Sequence, residues 1–143
     1  MRPILAAIAL LAAAPAAAAD PKPGDRTLSP EQLLEQLGIG VSDEALAEAV
    51  AAASAHPLGT RENPVRVGGP EGQRAYIARL RCADGSRPKV GQRGSAGVGA
   101  FGSIVDIYPL DCGSAAPGTF GLVMDMYHDG HREDRAPAGF GID

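Results

Sequence analysis

The chain has no tryptophan, and only three phenylalanines and three tyrosines among its 143 residues. A core this poor in rings must be aliphatic and modest in buried area. Cysteine is equally scarce, with Cys82 and Cys112 alone. Their spacing is nothing like C-x-x-C, which excludes a catalytic redox pair of that kind. Histidine occurs three times. No nucleophile–base pair can be read along the chain. Gly97–Gly102 matches G-x-G-x-x-G letter for letter, but a phosphate cradle needs a strand before it and a helix N-terminus after it. Here a loop precedes and a strand follows, so the run reads as a tightly turned connector. Ser95 nearly sits in G-x-S-x-G, but Arg93 holds the first glycine position and leaves no nucleophile elbow. Asn63-Pro64 is not a glycosylation acceptor.

What is present begins with an export signal. Met1-Arg2-Pro3 is a short basic start, Ile4–Ala14 is apolar, and Ala17-Ala18-Ala19 gives an A-x-A cleavage pattern before Asp20. The apolar run is too short to span a bilayer, and no cysteine follows the cut to take a lipid. The expected mature chain is one domain in length, soluble, periplasmic or secreted, and without a membrane span. In an oxidising compartment Cys82 and Cys112 are expected to form one disulfide. Closing a loop of 30 residues contributes about 3.6 kcal/mol in the chain-entropy model. That is a large share of a small domain's stability of roughly 5–15 kcal/mol.

The expected fold class is α+β, with an N-terminal helical pair packed on a small antiparallel sheet of four or five strands and one disulfide. Residues 20–28, rich in proline and charge, read as a flexible linker. Ser29-Pro30-Glu31-Gln32 forms a capping box, and Leu33, Leu34 and Leu37 give that helix an apolar side. Ser42 opens a second helix, with Asp43 and Glu44 in its first turn. Leu46, Ala49, Val50 and Ala53 make one face, alanine propensity carries it to about Ala55, and Pro57 stops it. The helical pair thus occupies 29–56 and a β-rich core 57–143. Strands are expected at Val65–Val67, Ala75–Cys82, Ile104–Leu110 and Phe120–His128. In the second, Tyr76, Ala78, Leu80 and Cys82 alternate inward, with Arg79 and Arg81 on the solvent face. Asp106 falls on the cysteine face of its strand, a poor fit to a dry core. Arg87–Gly102 reads as a Gly-rich loop, and residues 135–143 as a coil that lays Phe140 on the sheet.

Charge is segregated. Residues 20–60 carry two basic and seven acidic side chains, 61–93 carry eight and three, and 103–143 carry two and seven. A basic middle between acidic flanks suits internal pairing. It also offers an anion- or partner-facing surface through Arg74, Arg79, Arg81 and Arg87, with Arg61, Arg66, Lys89 and Arg93 beside them. The expected partner is an envelope protein or an anionic envelope polymer. Nucleic acid is not expected, because the arginines are not interleaved with aromatics.

One cluster has metal-binding chemistry. Asp129-Gly130 signals a two-residue hairpin, which would set His128 and His131 face to face and bring Met126 and Glu133 alongside. Imidazole with carboxylate suits zinc, and imidazole with thioether suits copper. The competing expectation is a solvated hairpin end; a smaller one is acid–base chemistry at His128 with Asp125. The strings ENPVR (62–66), GQRAYIARLRC (72–82), DMYH (125–128) and APAGF (136–140) resemble a set of small exported proteobacterial proteins of no assigned activity. The resemblance covers roughly residues 59–141 and implies an exported compartment and a shared β-rich core, but no catalytic role.

Overall fold

The computed structural model describes residues 42–143. The signal segment, the linker and the helix expected from Ser29 lie outside them. Among the described residues are two helices, α1 (Asp43–Ala53) and α2 (Gly69–Arg79), and seven strands. The strands are β1 (Val65–Arg66), β2 (Leu80–Arg81), β3 (Lys89–Val90), β4 (Gly94–Val98), β5 (Ile104–Asp111), β6 (Thr119–Asp125) and β7 (Gly141–Ile142). Five form one sheet in the order β1-β6-β5-β3, with β4 also on β5; β2 and β7 form a separate pair. The class is α+β, but the sheet is mixed, because β1 runs parallel to β6. No helix among these residues is long and apolar enough to cross a membrane.

α1 forms as its sequence dictates. The Ser42 hydroxyl accepts from the Ala45 amide at 3.2 Å, and Asp43 and Glu44 occupy the positive end of the helix dipole. It ends at Ala53, two residues before the expected stop. Its inner face is the predicted one, with Leu46, Ala49 and Val50 partly buried and Ala53 buried.

The largest correction is α2, which takes most of the segment expected as a strand over Ala75–Cys82. YIARL fits both periods, because Ala78 and Leu80 lie two and four residues beyond Tyr76 along a strand, while Tyr76 and Leu80 are also about one turn apart on a helix. Events upstream decide between them. Pro70 sits in the first turn with Glu71, and Arg79 lies at the negative end. Gln73, Tyr76, Ile77 and Leu80 are then all buried at helical spacing, while Ala78, assigned inward by alternation, is exposed. The second described helix therefore lies inside the segment read as purely β.

α2 covers one face of the sheet. Tyr76, Ile77 and Leu80 pack with Val65, Val67, Leu110, Leu122 and Met124, and Leu58, Phe120, Phe140 and Ile142 close the rim. β5 and β6 pair antiparallel over six residues, with Tyr108 opposite Leu122 and Leu110 opposite Phe120. Asp106, awkward for a dry core, is explained by Gln73. That buried amide donates to Asp106 Oδ2 at 2.8 Å and accepts from the Tyr108 hydroxyl at 2.8 Å. The final coil behaves as expected: Phe140 meets Phe120 edge-on at 5.6 Å, and β7 pairs with β2.

The Gly-rich stretch is not simply a loop, since β3 and β4 form within it. Its glycines serve close approach. A Cβ at Gly99 would stand 2.5 Å from Val105 Cγ1. The β4–β5 register shifts between Ser95 and Val98, where Gly97 takes a φ of +77° that only glycine adopts cheaply. The opposite face of the sheet carries a row of small residues. Pro109 pairs with Gly121, and the Gly91 amide donates to the Pro109 carbonyl at 2.7 Å. A groove of about 480 Å³ lies there, bordered by Lys89, Val90, Asp111 and Thr119.

Cys82 and Cys112 form the expected disulfide, with Cα atoms 5.8 Å apart. It joins the exit of β2 to the exit of β5 and encloses β3, β4 and β5. Cys82→Ser should cost about 3–4 kcal/mol and lower Tm by several degrees per kcal/mol in a domain of this size. A calorimetric Tm within a degree of wild type would show that the staple is not a main source of stability. Gly99→Ala should also destabilise, by overpacking against Val105, at about 1–3 kcal/mol.

Candidate functional site

The polar chemistry of the molecule collects where β6 ends and the chain turns away. β1 guides it there. The Val67 amide donates to the Asp125 carbonyl at 2.9 Å, the His128 amide to Val67 at 3.2 Å, and the Gly69 amide to Met126 at 2.8 Å. Segment 125–128 is thereby laid beside the entry to α2.

Asp125 is the hub, and it has no exposed surface. The Ser103 hydroxyl donates to its Oδ2 in a close contact, and the Tyr127 amide donates to its Oδ1 at 3.1 Å. His128 Nε2 stands 3.3 Å from Oδ2 but out of line for a hydrogen bond. Burial alone would raise the Asp125 pKa; the His128 imidazole, the Ser103 hydroxyl and the Tyr127 amide outweigh it and hold the carboxyl below its usual range. His128 contributes as a nearby polar ring rather than as an aligned donor. Its ring meets Phe101 edge-on at 5.3 Å, and Arg66 lies 5.8 Å over the Phe101 ring. The tip of the β4–β5 connection, closed by the Gly99 amide on the Ser103 carbonyl, is thus fastened to the hub through both Phe101 and Ser103.

The order of this cluster decides its chemistry. In a nucleophilic relay the imidazole lies between hydroxyl and carboxylate. Here the carboxylate lies between, with the Ser103 hydroxyl bonded to Asp125 Oδ2 and His128 Nε2 3.3 Å from the same oxygen. A carboxylate held below its usual pKa range is a poor base for a serine hydroxyl, so the arrangement fastens rather than activates.

The expected hairpin does not form. β6 stops at Asp125, and residues 128–131 make a single turn, with the His131 amide on the His128 carbonyl at 3.1 Å and Gly130 at a φ of +76°. That φ falls at the third residue, which is a type II turn rather than the primed turn that brings strands back together. The chain then departs from the sheet. Asp134 binds Arg79 at 2.7 Å and Arg132 at 2.9 Å.

The four residues proposed as metal ligands are consequently dispersed in role. His128 sits at Asp125. His131 Nε2 is 3.9 Å from Glu133 Oε2. Glu133 is buried and engaged by Arg135, whose Nε reaches Oε1 and Nη2 reaches Oε2, each at 2.9 Å. Burial would raise its pKa, but the Arg135 contacts hold it low. Met126 packs against the apolar core. Among the described residues no three histidine, cysteine or acidic side chains converge as a metal would require. The two imidazoles nonetheless share a property: both Nε2 atoms are buried with no hydrogen-bond partner. The His131 pKa is lowered by burial and by the Arg66 charge, so its neutral form prevails at neutral pH.

The proposed anion surface is divided: Arg79 and Arg81 are engaged internally, whereas Arg74 and Arg87 are exposed. Arg79 is not on the solvent face of a strand. At the end of α2 it donates to the carbonyls of Asp143 at 2.7 Å and Glu133 at 3.0 Å and pairs with Asp134. Arg81 bonds the Ala78 and Leu80 carbonyls and the Asp143 carboxylate. Arg93 reaches Asp106 at 3.5 Å, and exposed Arg74 pairs with Glu71 at 3.7 Å. Arg61, Arg87 and Lys89 are exposed. Through Arg79, Arg81 and Arg93 the basic middle pairs with Asp134, Asp143 and Asp106 of the acidic end.

Sequence reasoning missed Ser103, Phe101 and Arg66 as members of one cluster. The available signal was Asp125 itself, an acid at an inward position of an apolar strand that needed donors from somewhere.

Ser103→Ala leaves a buried carboxylate short of a donor and should destabilise by about 1.5–3 kcal/mol, read from the urea midpoint. An unchanged midpoint would remove the hub from the account. Stability should also fall on acidification. The folded state resists protonating His131, so its contribution is lost as pH drops below about 6.5. Asp125 and Glu133, held low, add a second loss as pH falls through their depressed values below about 4. In His131→Ala the first loss should vanish while the second persists.

No family model, no curated protein and no solved structure matches the chain.

Proposed function

We propose that the protein is a small exported binding protein with no catalytic activity of its own, working in the periplasm or outside the cell. The observation that carries this reading is the order of the Ser103–Asp125–His128 cluster. This cluster of a hydroxyl, an imidazole and a carboxylate puts the carboxylate in the middle, which suits a structural tie. Export is supported by the signal-like start of the sequence and by the disulfide, which persists in oxidising compartments.

The binding surface best suited to a partner is the groove over Gly91, Pro109 and Gly121. It is broad, largely apolar and bordered by one cation and one anion, Lys89 and Asp111. A partner protein offering an apolar segment fits it better than an anionic polymer, because Arg79 and Arg81 are engaged internally. A photo-crosslinking residue in place of half-exposed Val90 should yield discrete adducts in the cells that export the protein. Gly121→Trp, which fills the trough, should remove them, and Ser103→Ala should leave them. An absence of adducts, or adducts indifferent to Gly121→Trp, would end this assignment of the groove.

A second reading, a zinc or copper module on His128 and His131 with Glu133 and Met126, draws on the two unpartnered Nε2 atoms. It needs Glu133 to release Arg135. Zinc or copper should then raise Tm in wild type and not in a His128→Ala/His131→Ala double variant; no rise in wild type disposes of it.

A further inference from the structure

Asp-Gly occurs twice in the chain, at Asp84-Gly85 and at Asp129-Gly130. All four residues are exposed, and both glycines take a positive φ in a tight turn, +82° at Gly85 and +76° at Gly130. Sequence and exposure therefore treat the two alike. An aspartate followed by glycine can close a ring on itself, because no Cβ shields the next backbone nitrogen. That nitrogen attacks the aspartate Cγ. A C–N bond forms, the carboxyl C–O bond breaks, and the hydroxyl leaves as water with the amide proton. Water then opens the five-membered imide at either carbonyl. Opening at the α-carbonyl leaves isoaspartate, with the main chain rerouted through Cβ and Cγ and the net composition unchanged.

Hydrogen bonding separates the two sites. In the turn over 82–85 the glycine is the fourth residue, so its amide closes the turn on the Cys82 carbonyl at 2.9 Å. Asp84 Oδ1 accepts from the Ser86 amide at 2.9 Å. The Ser86 hydroxyl and amide hold the Asp84 carboxyl below its usual range, and an ionised carboxylate is a poor target for a nucleophile. Both reacting groups are thus tied. In the turn over 128–131 the glycine is the third residue, and the His131 amide closes the turn instead, on the His128 carbonyl at 3.1 Å. Among the described residues neither the Gly130 amide nor the Asp129 carboxyl has a hydrogen-bond partner. The space is also open, since a Cβ at Gly130 would meet nothing within 4 Å.

We propose that Asp129-Gly130 is a site of spontaneous isoaspartate formation in the folded protein, and that its fold protects Asp84-Gly85 from the same reaction. The inference does not depend on the groove. The modified turn presents a free α-carboxylate on a β-linked backbone, which is the substrate class of isoaspartyl carboxyl methyltransferases. The rerouted main chain is one atom longer, and that atom lies inside the ring closed by the His131 amide on the His128 carbonyl. The change therefore falls where the chain leaves Asp125 and enters the segment that Glu133 and Arg135 anchor.

The test is storage of the disulfide-intact protein at neutral pH and physiological temperature for several weeks. A second sample is reduced, its thiols are blocked, and it is stored unfolded in denaturant. Both are then digested, and the peptides are treated with an isoaspartyl carboxyl methyltransferase and a labelled methyl donor. In the folded sample the label at Asp129 should exceed that at Asp84 about tenfold, the effect of freeing one hydrogen bond of ordinary strength. In the unfolded sample the two sites should be labelled at similar rates. Native-state amide exchange checks the cause, since the Gly130 amide should exchange faster than that of Gly85. A folded sample left unlabelled at Asp129 overturns the proposal. So does equal labelling of the two sites in the folded sample, or the same ratio in both samples, or a Gly85 amide that exchanges as fast as that of Gly130. None of these outcomes bears on adducts formed at the groove.

Discussion

The fold depends on how the long irregular stretch after β6 is held against α2. Between Asp125 and Gly141 the chain runs without a strand or helix of its own, and backbone without such partners must find its bonds elsewhere. Arg79 supplies several of them. From one position at the end of α2 its guanidinium reaches Glu133, Asp134 and Asp143. Tyr76, one turn earlier, fixes Arg135. The burial that raises the Tyr76 pKa, reinforced by the nearby Glu133 charge, keeps this hydroxyl a neutral donor at any physiological pH. β7 can pair with β2 only because Arg79 and its neighbours return the chain to that place. In a core with so few rings, fixed polar ties of this sort do much of what aromatic packing does elsewhere.

These ties explain what could be read in advance. α1 was legible because its signals are local: a serine cap, two acids and a run of alanines. The disulfide was legible because two cysteines leave one pairing. β5 and β6 were legible from their apolar runs. α2 was not, because YIARL satisfies two periods at once, and Pro70 with Glu71 decides between them from outside the window. The Asp129-Gly130 turn was read correctly as a turn and wrongly as a hairpin. A turn dipeptide sets a local bend, whereas the return strand needs a pairing partner, and Arg79 draws Asp134 away instead.

The buried polar groups divide into two kinds. Gln73 with Asp106 and Tyr108, and Ser103 with Asp125, close on themselves and specify one packing of helix on sheet and of hairpin on strand. His128 and His131 do not close, and each leaves a ring nitrogen buried without a partner. A folded chain retains such groups at a cost of about 1–3 kcal/mol each. That cost separates these two residues from the rest of the polar interior.

The displaced register in β4 has a meaning beyond its own hairpin. Among the described residues β4 pairs on one side only, and Val98 and Ile104 beside it are each more than 60 % exposed. A straight strand so placed would be a template on which further copies could add, the first step towards fibrillar stacking. The kink at Gly97 breaks the regular spacing of amide donors and acceptors along that edge. The bulge therefore disfavours edge-to-edge addition, and straightening it would lengthen the ladder open to a further strand.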